Sequence, residues 1–337
     1  MKAIVYFQYG PPEVLQLAEL PKPVPKENEI LIRVHAAEAT KADCEMRAFR
    51  FVVNWIWLPM RLALGIRRPR KPVLGGYFSG VVESTGAQVT RFKPGDALFG
   101  SVGMRIGAYC DYICLPEEAT LAPKPDNLSF EQAAAVPLGG LNALHFLRKA
   151  NIQAGEHVLI NGAGGSIGTF AVQIAKAMGA EVSAVDSPVK ADMLRTLGVK
   201  EFIDYTKEDF TRCGRQYDVI FNMVASYPYG KAIGALRPGG RYLLGNPPLM
   251  SMIRSLFTPL FSDKNAYVAF AGEKEEELLT LKRMIEAGEI TPVIDGVFLP
   301  EEAAEAHRRV EQEARLGGVV IQMKTPDAHP PKQTHNS

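Results

Sequence analysis

With 337 residues, 47% of them hydrophobic, the chain is long enough to bury a sizeable core, and its length predicts roughly two domains. Its 38 Lys and Arg against 37 Asp and Glu leave a formal charge of +1, which gives no field to recruit nucleic acid, and the short run Arg67–Lys71 (RRPRK) reads as a solvated loop. Four cysteines without a C-x-x-C pair, and no charged start followed by an apolar signal segment, argue against disulfides and secretion, so a reduced, cytoplasmic protein is expected.

The first third reads as β-structure. Met1–Phe7 alternates, β-branched residues recur through Glu29–His35 (EILIRVH), and the proline-rich PKPVPKENE separates the two. Val73–Gly86, Phe92–Phe99 and Gly107–Leu115 continue the pattern. Pro94-Gly95-Asp96 is turn chemistry, and Gly75, Gly76, Gly80 and Gly86 mark tight bends of a curved, barrel-like sheet. The apolar stretch Phe51–Gly65 is shorter than the about 20 residues of a membrane span, and Pro59 and Arg61 interrupt it. A lid over an apolar substrate site, plain core, and a monotopic or dimer contact stay open for it, and for the similar run Leu249–Phe261.

Leu128–Lys149 predicts one helix, with Ser129 as N-cap and Glu131 and Gln132 in its first turn. His157–Lys176 (HVLINGAGGSIGTFAVQIAK) then reads as strand, turn, helix, on the apolar run Val158–Ile160 and the helical spacing of Phe170, Ala171, Ile174 and Ala175. Gly162, Gly165 and Gly168 fall three apart, so the turn can close and the backbone can reach a pyrophosphate at the helix start. Ala163 takes the first position of the usual G-x-G-x-x-G, which keeps a plain structural turn as the alternative. Glu181–Val185 is a second strand ending at Asp186, twenty-one residues beyond Gly165, where a βαβ unit meets the adenosine ribose. A helix at Met193–Leu197, strands at Phe202–Ile203, Val219–Met223, Tyr242–Gly245 and Tyr267–Phe270, and a helix at Glu273–Ala287 predict a doubly wound parallel sheet. Thr325–Ser337 has too few apolar residues to fold and is expected to be a disordered tail.

The stretches NGAGGSIGTFAVQIAKAMGAEV, DSPVK and EFIDYTKEDF resemble the cofactor domain of the medium-chain dehydrogenase/reductase superfamily, and within it the zinc-independent quinone oxidoreductase-like branch. PVLGGYFSGVVESTG, VTRFKPGDALFG and GAYCDYICLPEEATLAPKPDNLS resemble its GroES-like catalytic domain. The resemblance runs from Met1 to about Lys324 and implies an α/β fold. A GroES-like β-barrel catalytic domain over residues 1–122, completed by 289–324, would precede a Rossmann doubly wound domain over 123–288, with 325–337 as the tail.

The resemblance also implies a chemistry. In the larger branch a Cys and a Gly-His-Glu hold a catalytic zinc; the matching positions here, Thr40 and Gly75-Gly76-Tyr77, offer neither thiolate nor imidazole. Cys44 is offset and reads as a small buried hydrophobe, and Cys110, Cys114 and Cys213 supply no zinc lobe, so no metal is expected. Without a Lewis acid, hydride transfer suits an acceptor that is already electron-poor, a quinone or an alkene conjugated to a carbonyl, so a small apolar electrophile is the expected substrate. The site should lie near Thr40, Asp43, Tyr77 and Tyr109, with Tyr77 a proton donor or packing and Asp43, at the acid of the family's Asn-Pro-x-Asp, chemical or structural. Gly162, Ala163, Gly164, Gly165, Ser166, Ile167, Gly168 and Gly245 are expected at the cofactor. Asp186 alone favours NADH; Ser187, Lys190 and Tyr205 resemble the residues with which the branch holds the 2′-phosphate, so NADPH is expected ahead of NADH. The function expected is NADPH-dependent reduction of a quinone or enone by a protein whose most natural oligomer is a dimer. A zinc-free alcohol or ketone dehydrogenase, and a non-catalytic cofactor-binding protein of structural or nucleic-acid-associated role, are the alternatives. Gly165→Val is expected to abolish cofactor binding and Gly162→Ala to be milder.

Overall fold

Strand β1 (Lys2–Val5) pairs antiparallel with β2 (Gln16–Glu19), and β3 (Glu29–Ala39) then forms the axis of the N-terminal sheet. The computed structural model describes residues 1–51, 56–269 and 272–323. After β3 come α1 (Lys41–Ala48), α2 (Trp57–Leu64), β4 (Tyr77–Thr85), β5 (Ala97–Ser101), β6 (Tyr112–Pro116) and β7 (Leu121–Pro123). One edge of β3 meets β4, with register shifts at Leu31/Ile32 and Val34/Ala36 that bend the strand. Opposite Val34 the two backbones approach so closely that a Cβ on Gly80 would lie 2.3 Å from the Arg33 carbonyl oxygen. β3 starts α1 without a linker: Thr40 caps it by a reciprocal box with Asp43.

The second half begins with α3 (Phe130–Ala134) and α4 (Val136–Ala150), where the sequence predicts one helix. The Ser129 cap forms as expected, but Pro137 has no N–H to give and its ring crowds the carbonyl four residues back, so the helix breaks at Ala135. Then follow β8 (His157–Asn161), α5 (Ser166–Ala177), β9 (Glu181–Asp186), α6 (Ala191–Thr196), β10 (Glu201–Asp204), β11 (Tyr217–Asn222), α7 (Tyr229–Gly234), β12 (Leu236–Leu244), α8 (Leu249–Phe261), β13 (Asn265–Val268) and α9 (Glu275–Glu286). The six strands are all parallel in the order β10-β9-β8-β11-β12-β13, the doubly wound order of a Rossmann sheet. Because such a sheet is covered on both sides, the central residues of β8 and β11 are apolar on both faces. Val158 and Ile160 pack with Phe170, Ile174 and Leu281 on one face, and Leu159 with Ile203, Ile220 and Tyr242 on the other. Each such fully buried side chain contributes about 1.5–3 kcal/mol, which is what holds the turn after β8 in place.

The chain then returns. β14 (Ile294–Phe298), α10 (Ala303–Glu311) and β15 (Gly318–Gln322) follow α9, and β15 adds antiparallel to the far end of β3, Ala36–Ala39, while β6 covers Glu29–Arg33 on the same edge. The N-terminal sheet thus runs β14-β15-β3-β4-β5-β7 with β6 on β3. The apolar run Leu249–Phe261 is a single helix with Leu256, Leu260 and Phe261 more than 70% exposed, so it is not plain core. In the other run only Trp57–Leu64 is helical among the described residues, and none of these eight is buried. No helix among the described residues is long and apolar enough to cross a membrane. The predicted tail Thr325–Ser337, Lys324, and Phe270 of the predicted last strand lie outside the described residues.

Candidate functional site

The turn after β8 sits where the strand order reverses, between β8 and β11 at the carboxyl ends of the sheet, the place where doubly wound folds bind ligands. Asn161 and Asn222, the last residues of those two strands, are hydrogen-bonded at 2.8 Å, and the Gly245 N–H donates to the Asn222 carbonyl at 2.9 Å. Gly162 has φ +88, a conformation that side chains rarely adopt, although its surroundings would admit a Cβ. Gly165 is the opposite case: φ −87 and ψ −179 are ordinary, and it caps α5 with no atom nearer than 4.0 Å to where a Cβ would stand. That open space lies at the free N–H groups of the helix start, so the residues present fit a dinucleotide's pyrophosphate. A Cβ on Gly168 would meet the Gly162 carbonyl oxygen at 2.4 Å, so this third glycine serves packing of helix on strand. Ala163 is fully buried and Ile167 partly so.

Behind the turn lies an ion pair. Asp186 accepts from the Gly164 N–H at 2.7 Å and the Ser187 N–H at 2.8 Å, and meets Lys190 Nζ at 3.0 Å. Both side chains are 7% exposed, and the Lys190 stem fills the space that a Cβ on Gly164 would take, with Cδ 2.2 Å away. Lys190, expected at a 2′-phosphate, is thus buried with its ammonium on Asp186. The same pairing removes the repulsion that a bare Asp186 would exert on a 2′-phosphate. Tyr205, next to Asp204, which pairs with Asp186 across the sheet, is 60% exposed.

The four residues expected around the substrate divide into two groups. Thr40, Asp43 and Tyr109 are at most 4% exposed. Asp43 accepts from Thr40 Oγ1 at 2.6 Å, the Gly75 N–H at 2.9 Å and Tyr109 Oη at 3.3 Å, so its oxygens tie the start of α1 to the loop before β4. Burial pushes its carboxyl above the usual carboxylate range. Tyr77 is instead partly exposed; its hydroxyl donates to Glu273 Oε1 at 2.7 Å, and burial and that carboxylate hold it firmly protonated.

Two buried groups escape sequence reasoning. Glu38, 1% exposed on β3, accepts from Ser166 Oγ at 2.7 Å, joining the N-terminal sheet to the first residue of α5. Its second oxygen has no hydrogen-bond partner among the described residues, and burial raises its pKa to about 8. A lone charge in the apolar run Val34–Ala39 is the signal that was there to be read. His307 of α10, fully buried, meets Cys44 Sγ at 3.4 Å and Arg47 Nη1 at 3.3 Å through Nδ1, and Tyr109 Oη at 3.4 Å through Nε2. Arg47 can only donate, so Nδ1 accepts and the ring proton sits on Nε2; burial and the guanidinium lower the imidazole pKa to about 3.

Zinc does not fit this donor set. The hydroxyl of Thr40 is spent on Asp43, Gly76 has no side chain, and the nearest thiol and imidazole, Cys44 and His307, are sealed in the core beside a guanidinium that repels a cation. No group of three or more His, Cys, Asp or Glu that could hold a metal occurs among the described residues. Two surface hollows of about 590 Å3 beside His157 and Arg237 and about 540 Å3 beside Lys176 and Glu289 are lined at the amino ends of the strands and the far end of α5, away from the turn.

Known families and proteins match the chain over most of its length. Residues 26–126 match the family described as alcohol dehydrogenase GroES-like domain, and residues 197–321 the one described as zinc-binding dehydrogenase. The quinone oxidoreductase of Sus scrofa is 31% identical over 95% of this chain and 97% of its own length. The chloroplastic NADPH-dependent alkenal/one oxidoreductase of Arabidopsis thaliana is 31% identical over 95% of this chain and 79% of its own. The solved quinone oxidoreductase of Coxiella burnetii superposes with a TM-score of 0.84 at 29% identity, covering 96% of this chain and 99% of that one. The chain, with its GroES-like N-terminal domain and six-stranded Rossmann domain, belongs to the medium-chain dehydrogenase/reductase superfamily, in its quinone oxidoreductase-like branch, and is an NAD(P)-dependent oxidoreductase of that kind.

Proposed function

We propose that the protein reduces a quinone or an α,β-unsaturated carbonyl with NADPH and without zinc. What supports the reading above all is the donor set at Thr40 and Gly75–Tyr77, which suits hydrogen bonding and not metal ligation. The cofactor, when bound, supplies a hydride from its nicotinamide. Gly162–Gly168 and the start of α5 hold the pyrophosphate, and the pair of Asp186 with Lys190 gives the ribose end a carboxylate already neutralised, with Tyr205 and Ser187 at its edge. As the acceptor's carbon takes the hydride, charge develops on its oxygen. Tyr77, the one candidate of the four with a path to solvent and a hydroxyl proton to give, donates to that oxygen after turning from Glu273. Thr40, Asp43 and Tyr109 keep the floor of the cleft rigid. The relatives named for quinone and alkenal/one reduction support the same acceptor class.

The test is NADPH oxidation against a panel of quinones, enones and simple ketones, with products identified. Turnover confined to simple ketones, or none with any acceptor despite tight NADPH binding, refutes the reading. Tyr77→Phe is expected to lower kcat by about tenfold to a hundredfold with little change in KM.

A further inference from the structure

Between Glu45 and Glu83 the chain carries seven Arg or Lys and no Asp or Glu, in a protein whose formal charge is only +1. Arg47 is buried and paired with Glu311, but Arg50, Arg67, Arg68, Arg70 and Lys71 are exposed. Just before the last four lies α2, and it is packed inside out. Arg61 turns inward, its guanidinium 4.1 Å from the Phe49 ring centroid and 5.1 Å from that of Tyr9, while Trp57, Leu58 and Leu62 are 47–61% exposed and Ile66 beyond the helix is 59% exposed. A surface helix that faces water does the reverse. The element is fixed on the sheet domain by Tyr9 Oη, which donates to the Gly65 carbonyl at 2.8 Å, and by the Tyr6 N–H, which donates to the Pro72 carbonyl at 2.8 Å, while the Arg70 N–H closes the loop onto the Leu64 carbonyl at 2.8 Å.

We propose that α2 and the Arg67–Lys71 loop dock the protein on an anionic lipid surface, with Trp57, Leu58, Leu62 and Ile66 entering the headgroup boundary and the basic loop meeting the phosphates. The charge distribution selects this occupant. A second copy of the chain would bring one cationic patch against another, and a nucleic acid would satisfy the cations but leave the apolar side chains in water. A bilayer with anionic headgroups takes both, as an interfacial amphipathic helix with a basic flank does. The proposal is independent of which acceptor the enzyme reduces.

The chain has two tryptophans, so the full-length Trp55→Phe protein leaves Trp57 as the sole indole. It is mixed with vesicles of phosphatidylcholine alone or with phosphatidylglycerol added. Sedimentation with the anionic vesicles, a blue shift of Trp57 emission, and little of either with neutral ones are expected. Replacing Arg67, Arg68, Arg70 and Lys71 together by Gln should weaken binding by at least about tenfold, and Leu62→Gln should abolish the blue shift. Leu62, Arg67, Arg68, Arg70 and Lys71 are exposed, and circular dichroism verifies that all the variants fold. No sedimentation with anionic vesicles at low salt overturns the proposal. So does binding without the blue shift that heparin or an oligonucleotide matches, and so does a dimer, seen by light scattering, that Leu62→Gln dissociates.

Discussion

Lys190→Met deletes one ammonium and little volume. It leaves the Asp186 carboxylate, 7% exposed, with the Gly164 and Ser187 N–H groups as its remaining partners. Breaking a buried ion pair from one side costs about 3–5 kcal/mol, because the surviving charge stays desolvated; the two backbone donors put this case at the lower end, about 3 kcal/mol, or roughly a hundredfold in the folding equilibrium. Asp186→Asn in the same background removes the stranded charge and should recover most of that loss. Urea unfolding followed by circular dichroism, on wild type, both single variants and the double, gives the coupling energy directly. The cofactor supplies a second readout: an unpaired Asp186 repels a 2′-phosphate, so NADPH affinity should fall about tenfold or more relative to NADH. A coupling below about 0.5 kcal/mol would refute the pair, and equal losses for both cofactors would refute its part in their discrimination.

Gly165→Val should remain as stable as wild type, since its φ of −87 suits a β-branched residue, yet lose dinucleotide binding in a fluorescence titration; Gly162→Ala, at φ +88, should cost about 1–3 kcal/mol in urea and spare binding. Normal binding by the folded Val variant would reduce the turn to scaffolding. Glu38 holds its proton to about pH 8 when folded and loses it near 4.3 when unfolded, so the folded state binds the extra proton between those values and stability falls as pH rises through that window, by a few kcal/mol at most. Glu38→Gln should flatten that slope; an unchanged pH profile of urea midpoints would show that the carboxyl is ionised throughout. Elemental analysis of protein purified without chelators should find well under one zinc per chain, and a stoichiometric zinc lost together with activity would overturn the donor-set argument.

Much of this molecule was legible in one dimension. Period and punctuation found part of every strand of the parallel sheet, although β12 begins at Leu236, six residues before the expected Tyr242, and runs through Pro238-Gly239-Gly240; Asp186 fell at the end of β9 because strand, turn and helix lengths leave little freedom. What could not be read is contact at long range. The spacing of Lys190 four residues past Asp186 fits a clamp reaching outward as well as one folded back, and only the path of the chain over Gly164 decides between them. Gly162 and Gly165 look alike as letters, and their roles differ by the sign of one dihedral angle, which moves the expected stability cost from Gly165 to Gly162 while leaving Gly162→Ala the gentler change for binding. Tyr109, Cys44 and His307 are separated by up to 263 residues and form one core cluster, so their chemistry as neighbours is invisible in sequence.

The pairing of β3 with β15 imposes an order on biosynthesis. Val320 sits opposite Glu38, so the edge of β3 along Ala36–Ala39 has no partner until almost the whole chain has left the ribosome, while the parallel sheet, contiguous from His157 to Val268, is complete well before. An open edge beside the Ala-rich end of a buried strand invites pairing with other nascent chains. Glu38 is the acidic residue in that stretch, exposed and ionised at neutral pH while the chain is unfolded, and in the folded protein it is buried, protonated to about pH 8 and bonded to Ser166. A chain truncated before Gly318 should therefore aggregate during synthesis while its Rossmann half folds, and should do so far faster when Glu38 is replaced by Val.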